Sequence, residues 1–210
     1  LQWLSSIFPG QVSYSTAFGL EGQVITHLIF KNNIPIRVFT IDTGRQFQET
    51  YNVWRATNDK YGVNIQTYYP LAQSVQSMLN QKGPNSFYDS VENRKECCYI
   101  RKVEPLNRAL EGQKIWISGV RAEHSESRAD RKQVEWDSQR QLIKVYPLFY
   151  WTTEEIRSVI VNENIPYNEL FDKGFKSIGC APCTRSVRNG EDERAGRWWW
   201  EGNTDKECGI

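Results

Sequence analysis

The five cysteines of this sequence are the residues whose spacing points most directly to chemistry. They fall as an adjacent pair, Cys97 and Cys98, a second pair separated by Ala-Pro, Cys180 and Cys183, and a single Cys208. Two close pairs of thiolates supply the ligands of an all-cysteine zinc site or of an iron–sulfur cluster. Adjacent cysteines point in diverging directions, which suits a cubane cluster better than one small ion. On spacing alone, both kinds of site stay open.

Cys208 stands apart from the two pairs, in the tetrapeptide Lys-Glu-Cys-Gly. A cysteine left over from a metal set is a candidate nucleophile, because an exposed thiolate is strongly nucleophilic. The alternative is a thiol at the chain end that has no function. Spacing does not choose between these two roles.

Two short segments have the pattern of a phosphate-binding edge. Residues 15–22 read Ser-Thr-Ala-Phe-Gly-Leu-Glu-Gly and lie between a predicted strand and a predicted helix, where backbone N–H groups and the helix dipole favour a phosphate. Residues 42–44 read Asp-Thr-Gly and follow the next predicted strand, at the sheet edge where open α/β proteins bind ligands. Together the segments predict a nucleotide pocket. Its candidate contacts are Ser15, Gly19, Asp42, Thr43 and Gly44.

The elements that position these residues alternate between strand and helix patterns. The predicted strands are residues 11–14, 36–41, 63–69, 115–120 and 145–148, and the predicted helices are residues 20–30, 46–60 and 98–110. A capping box at residues 152–155 predicts a further helix that reaches about residue 162. This alternation predicts a single Rossmann-like α/β domain with a mostly parallel sheet. We expect the domain at residues 1–183 and a C-terminal catalytic tail at residues 184–210.

Composition bounds the class of protein. Hydrophobic residues make up 39% and charged residues 24% of the 210 residues, which predicts a folded globular chain. The net charge of +1 gives no support for a nucleic-acid partner, and no apolar run is long enough to span a membrane. We expect a cytoplasmic protein, and the start at Leu1 rather than Met leads us to expect trimmed ends. Basic residues beside the cysteines suit a small anion or a solvated face.

Several motifs, taken together, resemble a known family. They are residues 15–22, the Ile-Asp-Thr-Gly-Arg of 41–45 with Glu-Thr-Tyr of 49–51, the Lys-Glu-Cys-Cys of 95–98 with residues 100–106, the Ile-Gly-Cys-Ala-Pro-Cys-Thr-Arg of 178–185, the Glu-Arg-Ala-Gly-Arg-Trp-Trp-Trp of 193–200 and the Glu-Cys-Gly of 207–209. The chain resembles the assimilatory sulfonucleotide reductases, in particular the iron–sulfur adenylyl-sulfate reductases of bacteria. The resemblance covers nearly the whole chain, and its last three motifs are highly specific.

The resemblance implies a [4Fe–4S] cluster on the two cysteine pairs and catalysis by Cys208. It also implies an adenosine pocket like that of the PP-loop ATP pyrophosphatases. The basic residues that it matches to the cluster, the substrate sulfate and a second anion-binding segment are Lys102, Arg194, Arg197, Arg121 and Arg128.

The implied activity is the thioredoxin-dependent reduction of adenosine 5′-phosphosulfate to sulfite and AMP, through an S-sulfocysteine, in assimilatory sulfate reduction. The implied partners are this nucleotide and thioredoxin or a similar dithiol donor. We also expect a homo-oligomer of undetermined size. Family members continue past Glu-Cys-Gly with Leu and His, whereas this sequence has Ile210 after Glu-Cys-Gly.

Three alternatives remain. One is a reductase of the 3′-phosphorylated nucleotide, or of both nucleotides, although reductases limited to that substrate generally lack the cluster cysteines. Another is a non-catalytic iron–sulfur or zinc sensor that binds an adenine nucleotide, for which Cys208 would be irrelevant. The third is a PP-loop ligase or thiolase that adenylates its substrate with ATP, which requires a loop of the Ser-Gly-Gly-x-Asp-Ser type that residues 15–22 do not supply.

Overall fold

A six-stranded sheet forms the centre of the computed structural model, which describes residues 1–122 and 132–202. Its strands are β1 Val12–Thr16, β2 Arg37–Ile41, β3 Gln66–Tyr68, β4 Ile115–Ile117, β5 Val134–Asp137 and β6 Leu142–Val145. Their order is β3-β2-β1-β4-β6-β5. Neighbouring strands are parallel except for β5 and β6. The prediction of a mostly parallel sheet is therefore confirmed.

The described helices are mostly connections between parallel strands. They are α1 Gln2–Ile7, α2 Leu20–Lys31, α3 Gln48–Tyr61, α4 Ala72–Lys82, α5 Val91–Cys98, α6 Glu104–Ala109 and α7 Thr153–Asn162. A π-helix, Tyr99–Val103, joins α5 to α6, and short 3-10 helices lie at Ser86–Tyr88, Glu169–Lys173 and Ala181–Cys183. At the start of α7 the Thr152 side chain accepts from the Glu155 N–H and the Glu155 side chain accepts in return, so the predicted capping box is confirmed.

Both faces of the sheet are buried. Successive strand residues point to opposite faces, so each face contributes to its own core. Val38 and Ile117 belong to a core that also holds Ile25 of α2 and Ile156 of α7. A second core holds a smaller apolar set from the other face, Phe39, Leu106, Ala109, Leu110, Trp116 and Leu142. The sheet is thus enclosed between helices, as is typical of parallel sheets.

One predicted strand, at residues 145–148, is wrong. The strand β6 ends at Val145, and the residues that follow form a turn in which Tyr146, Leu148 and Phe149 are buried. The apolar run therefore marks a buried turn.

The strand order places a switch point between β1 and β4. The chain proceeds from β1 to β2 and β3 on one side, and then returns to place β4 on the other side of β1. Open α/β sheets bind ligands outside the carboxyl ends of the strands at such a point.

In the described residues, no helix has the length and apolar character needed to cross a membrane.

Candidate active site and cysteine centre

A cavity of about 290 Å³ opens at the switch point. Ser15 at the end of β1, the first turn of α2 and the Ser118-Gly119 turn after β4 form one wall. The other wall comes from the start of α7 and from two C-terminal stretches of the described chain. The basic residues along the cavity are Arg121, Arg157, Lys176, Arg194 and Arg197.

The first turn of α2 presents backbone N–H groups to this cavity. Gly19 is the N-cap residue, and no described side chain caps the helix start. Gly22 packs so tightly on β1 that a Cβ there would lie 3.0 Å from the Tyr14 hydroxyl oxygen, which donates to the Gly22 carbonyl. An uncapped helix start of this kind attracts an anion. Ser15 and Gly19 both line the cavity, as the sequence predicts for a nucleotide contact.

The Asp-Thr-Gly turn after β2 is held by its own side chains. Asp42 accepts hydrogen bonds from the Gly44 N–H (2.8 Å) and from the Tyr51 hydroxyl (2.9 Å). Burial, together with the bond to Asp42, raises the pKa of Tyr51 to about 12, so this hydroxyl stays protonated. Gly44 has φ +70°, a left-handed conformation that favours glycine. Thr43 brings the turn into contact with the cysteines, because its hydroxyl oxygen lies 3.3 Å from Cys180 Sγ.

The four paired cysteines line one small cavity. Cys97 and Cys98 come from the end of α5, Cys180 directly precedes the 3-10 helix Ala181–Cys183, and Cys183 is the last residue of that helix. Cys97 and Cys183 are buried, the other two are half-buried, and all four are free thiols. Arg101, three residues after Cys98, links this end of α5 to the Asp-Thr-Gly turn, since its Nη1 donates to the Thr43 carbonyl at 2.7 Å. The structure thus brings together cysteines that are about 80 positions apart in the sequence.

The surroundings disfavour ionisation of the two buried thiols, Cys97 and Cys183. Burial raises the pKa of Cys97. Burial and then the neighbouring Cys180 and Cys98 raise the pKa of Cys183 to about 12. Within the described ranges, no three His, Cys, Asp or Glu side chains are arranged to hold a single metal ion. Four thiols facing one cavity are nevertheless the donor set of a cysteine-ligated cluster, so the number and type of donors fit.

Lys102 connects the cysteine centre to the nucleotide cavity. It lines the cysteine cavity and also an intermediate cavity of about 110 Å³, to which Ser15 and Thr43 contribute. Ser15 in turn lines the large cavity. The three spaces therefore share wall residues, and Lys102 lies between the thiols and the nucleotide side.

Two of the predicted arginines line the nucleotide cavity from the C-terminal stretch. Arg197 is 6% exposed, lies with Cζ 4.8 Å from the Trp198 ring centroid, and donates through Nη1 to Ser177 Oγ at 3.3 Å. Arg194 lines the same cavity. An anion in this cavity would meet both guanidinium groups.

Arg121 lines the cavity but is bound to protein acceptors. Its Nε donates to Glu21 at 2.8 Å, its Nη1 to the Trp151 carbonyl at 2.9 Å and its Nη2 to the Thr153 hydroxyl at 3.0 Å. It thereby ties α2 to the start of α7. Two other predicted site residues, Arg128 and Cys208, lie outside the described residues.

A buried ion pair at the cysteine centre has no counterpart in the sequence analysis. Arg94 and Glu201 are joined by two hydrogen bonds of 2.9 Å, with side chains 1% and 4% exposed. The Trp198 ring is fully buried against Cys97 and Cys183, with Arg94 Cζ 4.6 Å from its centroid. No spacing rule pairs residues so far apart. Residues 184–202 therefore help to build a buried cluster. The predicted boundary at residue 183 between the domain and the C-terminal catalytic tail stays a prediction.

Comparison with known proteins fits this geometry. The family described as phosphoadenosine phosphosulfate reductase domain matches residues 11–186. The chain belongs to this family. The family match runs from the strand β1 to the residues just past the second cysteine pair, and so includes all four paired cysteines and the cavity wall formed by β1, α2 and the segment after β4.

One relative is the adenosine 5′-phosphosulfate reductase of Allochromatium vinosum. It is 44% identical to this chain, over 95% of this chain and 78% of its own length. The crystal structure of a phosphoadenylyl-sulfate reductase from Candida auris, a phosphate complex, has a TM-score of 0.74 at 30% identity, over 89% of this chain and 87% of that one. An FMN adenylyltransferase from Candida glabrata is 18% identical and has a TM-score of 0.57, over 97% of this chain and 69% of that one. This second likeness concerns the fold alone.

Proposed function

We propose that this chain is an adenosine 5′-phosphosulfate reductase, which releases sulfite and AMP in the assimilation of sulfate. One observation carries the proposal: a nucleotide-sized cavity at the switch point adjoins a four-cysteine centre, and Lys102 lies between them. Its relatives of 44% identity that carry this name support the choice of reaction.

Cys97, Cys98, Cys180 and Cys183 would hold a [4Fe–4S] cluster. The donor set supports this, because all four thiols face one cavity. When bound, the cluster would supply a fixed structural and electrostatic centre beside Lys102. The two electrons of the reaction come from the dithiol donor, so the cluster would not have to be oxidised or reduced.

The residues along the cavities would bind the anion. The backbone N–H groups at the start of α2 suit a phosphate, while Lys102, Arg194 and Arg197 suit the sulfate oxygens and the charge that develops on the departing phosphate. Neutralising these oxygens is necessary because a thiolate must approach a sulfur surrounded by negative charge.

Cys208 would be the nucleophile. Its thiolate attacks the sulfate sulfur, a sulfur–sulfur bond forms, the bond from sulfur to the phosphate oxygen breaks, and AMP leaves with the electron pair. A thiolate of thioredoxin or a similar dithiol then attacks the Cys208 sulfur and releases sulfite. The second thiol of the donor resolves the mixed disulfide, so the donor is oxidised and the Cys208 thiol is restored.

A reductase of the 3′-phosphorylated nucleotide, or of both nucleotides, is the second candidate. It is favoured by Arg157 and Lys176, which add positive charge to the nucleotide cavity, and by the 30% identity to the Candida auris protein. The ratio of kcat/KM for the two nucleotides distinguishes the candidates. A ratio well above one for the unphosphorylated substrate supports our choice.

The decisive experiment uses anaerobically purified full-length protein. We expect about four irons and four sulfides per chain and sulfite release in the presence of reduced thioredoxin. Stoichiometric zinc without acid-labile sulfide would contradict the cluster assignment.

The Cys208→Ser variant separates a catalyst from a sensor. It should keep the brown colour and bind AMP, but release no sulfite, because a hydroxyl is a much weaker nucleophile near neutral pH. Wild-type protein incubated with substrate and no reductant should gain the mass of one SO3 group on the peptide with Cys208. Sulfite release by the variant at the wild-type rate would exclude Cys208 as the nucleophile.

A further inference from the structure

Trp116 is a buried aromatic residue that reaches the nucleotide cavity from the middle of β4. It is 1% exposed, and its Nε1 donates a hydrogen bond of 2.8 Å to Ser15 Oγ. In the register of β1 and β4, Trp116 lies opposite Ser13. Because Ser13 and Ser15 are two positions apart on one strand, they share a face of the sheet, and the indole reaches diagonally across that face.

The direction of this hydrogen bond fixes the role of the Ser15 hydroxyl. An indole N–H only donates, so the Ser15 oxygen accepts, and the hydroxyl keeps its own proton for another acceptor. Among the described residues, no acceptor is found for that proton. Ser15 lines both the large nucleotide cavity and the intermediate cavity that contains Lys102. The hydroxyl is therefore left to donate toward a ligand at the junction of the two cavities.

Two cations hold the indole from the side of the β5–β6 hairpin. Lys144 Nζ lies 4.8 Å and Arg140 Cζ 5.6 Å from a Trp116 ring centroid. Both cations bind Asp137, at 3.0 Å and 2.9 Å. Positive charge over an aromatic ring is favourable. It also draws electron density from the ring, which strengthens the N–H as a donor, and linked hydrogen bonds reinforce one another.

We infer that Trp116 is a positioning residue that orients the Ser15 hydroxyl as a hydrogen-bond donor to the phosphate of the bound nucleotide. The identity of the ligand rests on the proposed function. The hydrogen-bond polarity and the opening of Ser15 onto the cavities rest on the contacts themselves. Trp116 acts through Ser15, so the two residues should be energetically coupled for a ligand that carries a phosphate.

The test is a double-mutant cycle on the cluster-loaded protein, with AMP and adenosine as calorimetric probes. Ser15→Ala should weaken AMP binding about tenfold, the lower end for a hydrogen bond to a charged group. Replacing Trp116 by benzothienylalanine removes the N–H and keeps the ring, and should weaken AMP binding about threefold. The double variant should bind AMP as Ser15→Ala does, and adenosine affinity should stay unchanged in all three.

Ser13→Ala is the matched control, because it lies on the same strand and face and its buried hydroxyl has no partner in the described structure. It should bind AMP as the wild type does. Independent losses that multiply in the double variant, or equal losses for AMP and adenosine, would overturn the inference. A coupled cycle in a chain that releases no sulfite would overturn the proposed function and leave this inference standing. Trp116→Phe with measured thermal unfolding gives a second route to the same cycle.

Discussion

Gly179→Ala should disable the anion site through Arg197. A Cβ at position 179 would lie 2.6 Å from Arg197 Cζ and 3.0 Å from its Nη1. Gly179 does not have a positive φ, so alanine brings no backbone strain, and the perturbation is the contact alone. The guanidinium must withdraw by nearly one ångström to reach ordinary contact distance.

The guanidinium has little room to withdraw. Arg197 is 6% exposed, lies against the Trp198 ring and contacts Ser177. Overpacking at a buried site typically costs about 1–3 kcal/mol, so we expect the Arg197 guanidinium to be displaced from its present position against Trp198 and Ser177. The loss of one charged hydrogen bond to the substrate is about 1.5–3 kcal/mol, or roughly ten- to a hundredfold in kcat/KM. Arg197→Ala should therefore lose activity by a similar factor.

The assay is sulfite release with reduced thioredoxin, together with thermal unfolding and iron content. Gly202→Ala is the control, because a Cβ there would meet nothing within 4 Å. Adding Gly179→Ala to Arg197→Ala should produce little further loss, since both act on the same group. Wild-type kcat/KM in Gly179→Ala, or multiplied losses in the double variant, would refute the reasoning.

Glu201→Gln should lower the free energy of unfolding by about 3–5 kcal/mol, because it removes the carboxylate charge that faces the buried Arg94 guanidinium; an unchanged urea midpoint would contradict this. Burial raises the pKa of Asp137, but hydrogen bonds from Lys144 and Arg140 outweigh it and hold the pKa at about 2. The stabilisation is therefore present above the ordinary pKa of 3.8 and lost as the pH falls toward 2, so the difference in unfolding free energy between wild type and Asp137→Asn, up to about 2 kcal/mol, should vanish over that range. Urea unfolding at several pH values measures it, and a constant difference would exclude the proposed titration.

Periodicity predicted the elements that bury one clear face. The helix α2 carries a dense run of buried residues and was predicted to within one residue, and the capping box marked the start of α7. The helix α4 escaped prediction because only Met78 is buried along it. The edge strand β5 escaped for a related reason, since Val134 and Trp136 are exposed and give no sign of a core.

The candidate site was predictable where a short motif carries it. Cysteine spacing and the Asp-Thr-Gly turn marked segments that the structure brings together through the contact of Thr43 with Cys180, and their roles in binding stay predictions. The contacts that hold the site are long-range and have no local signature. Trp116 with Ser15, and Arg94 with Glu201, depend on strand register and chain return, which the spacing of residues along one segment does not encode.

The π-helix between α5 and α6 has a consequence for how this sequence can change. A π turn holds one residue more than an α turn, so it shifts the phase of everything that follows by about one residue. The apolar face of α6, with Leu106 against the sheet, is thereby set independently of the face that bears Cys97. Deleting one residue within Tyr99–Val103 would restore a continuous α-helix and rotate one face away from its partner. The number of residues between Cys98 and Leu106 is therefore under constraint whatever their identity, and gaps should be rarer there than in the loops on either side.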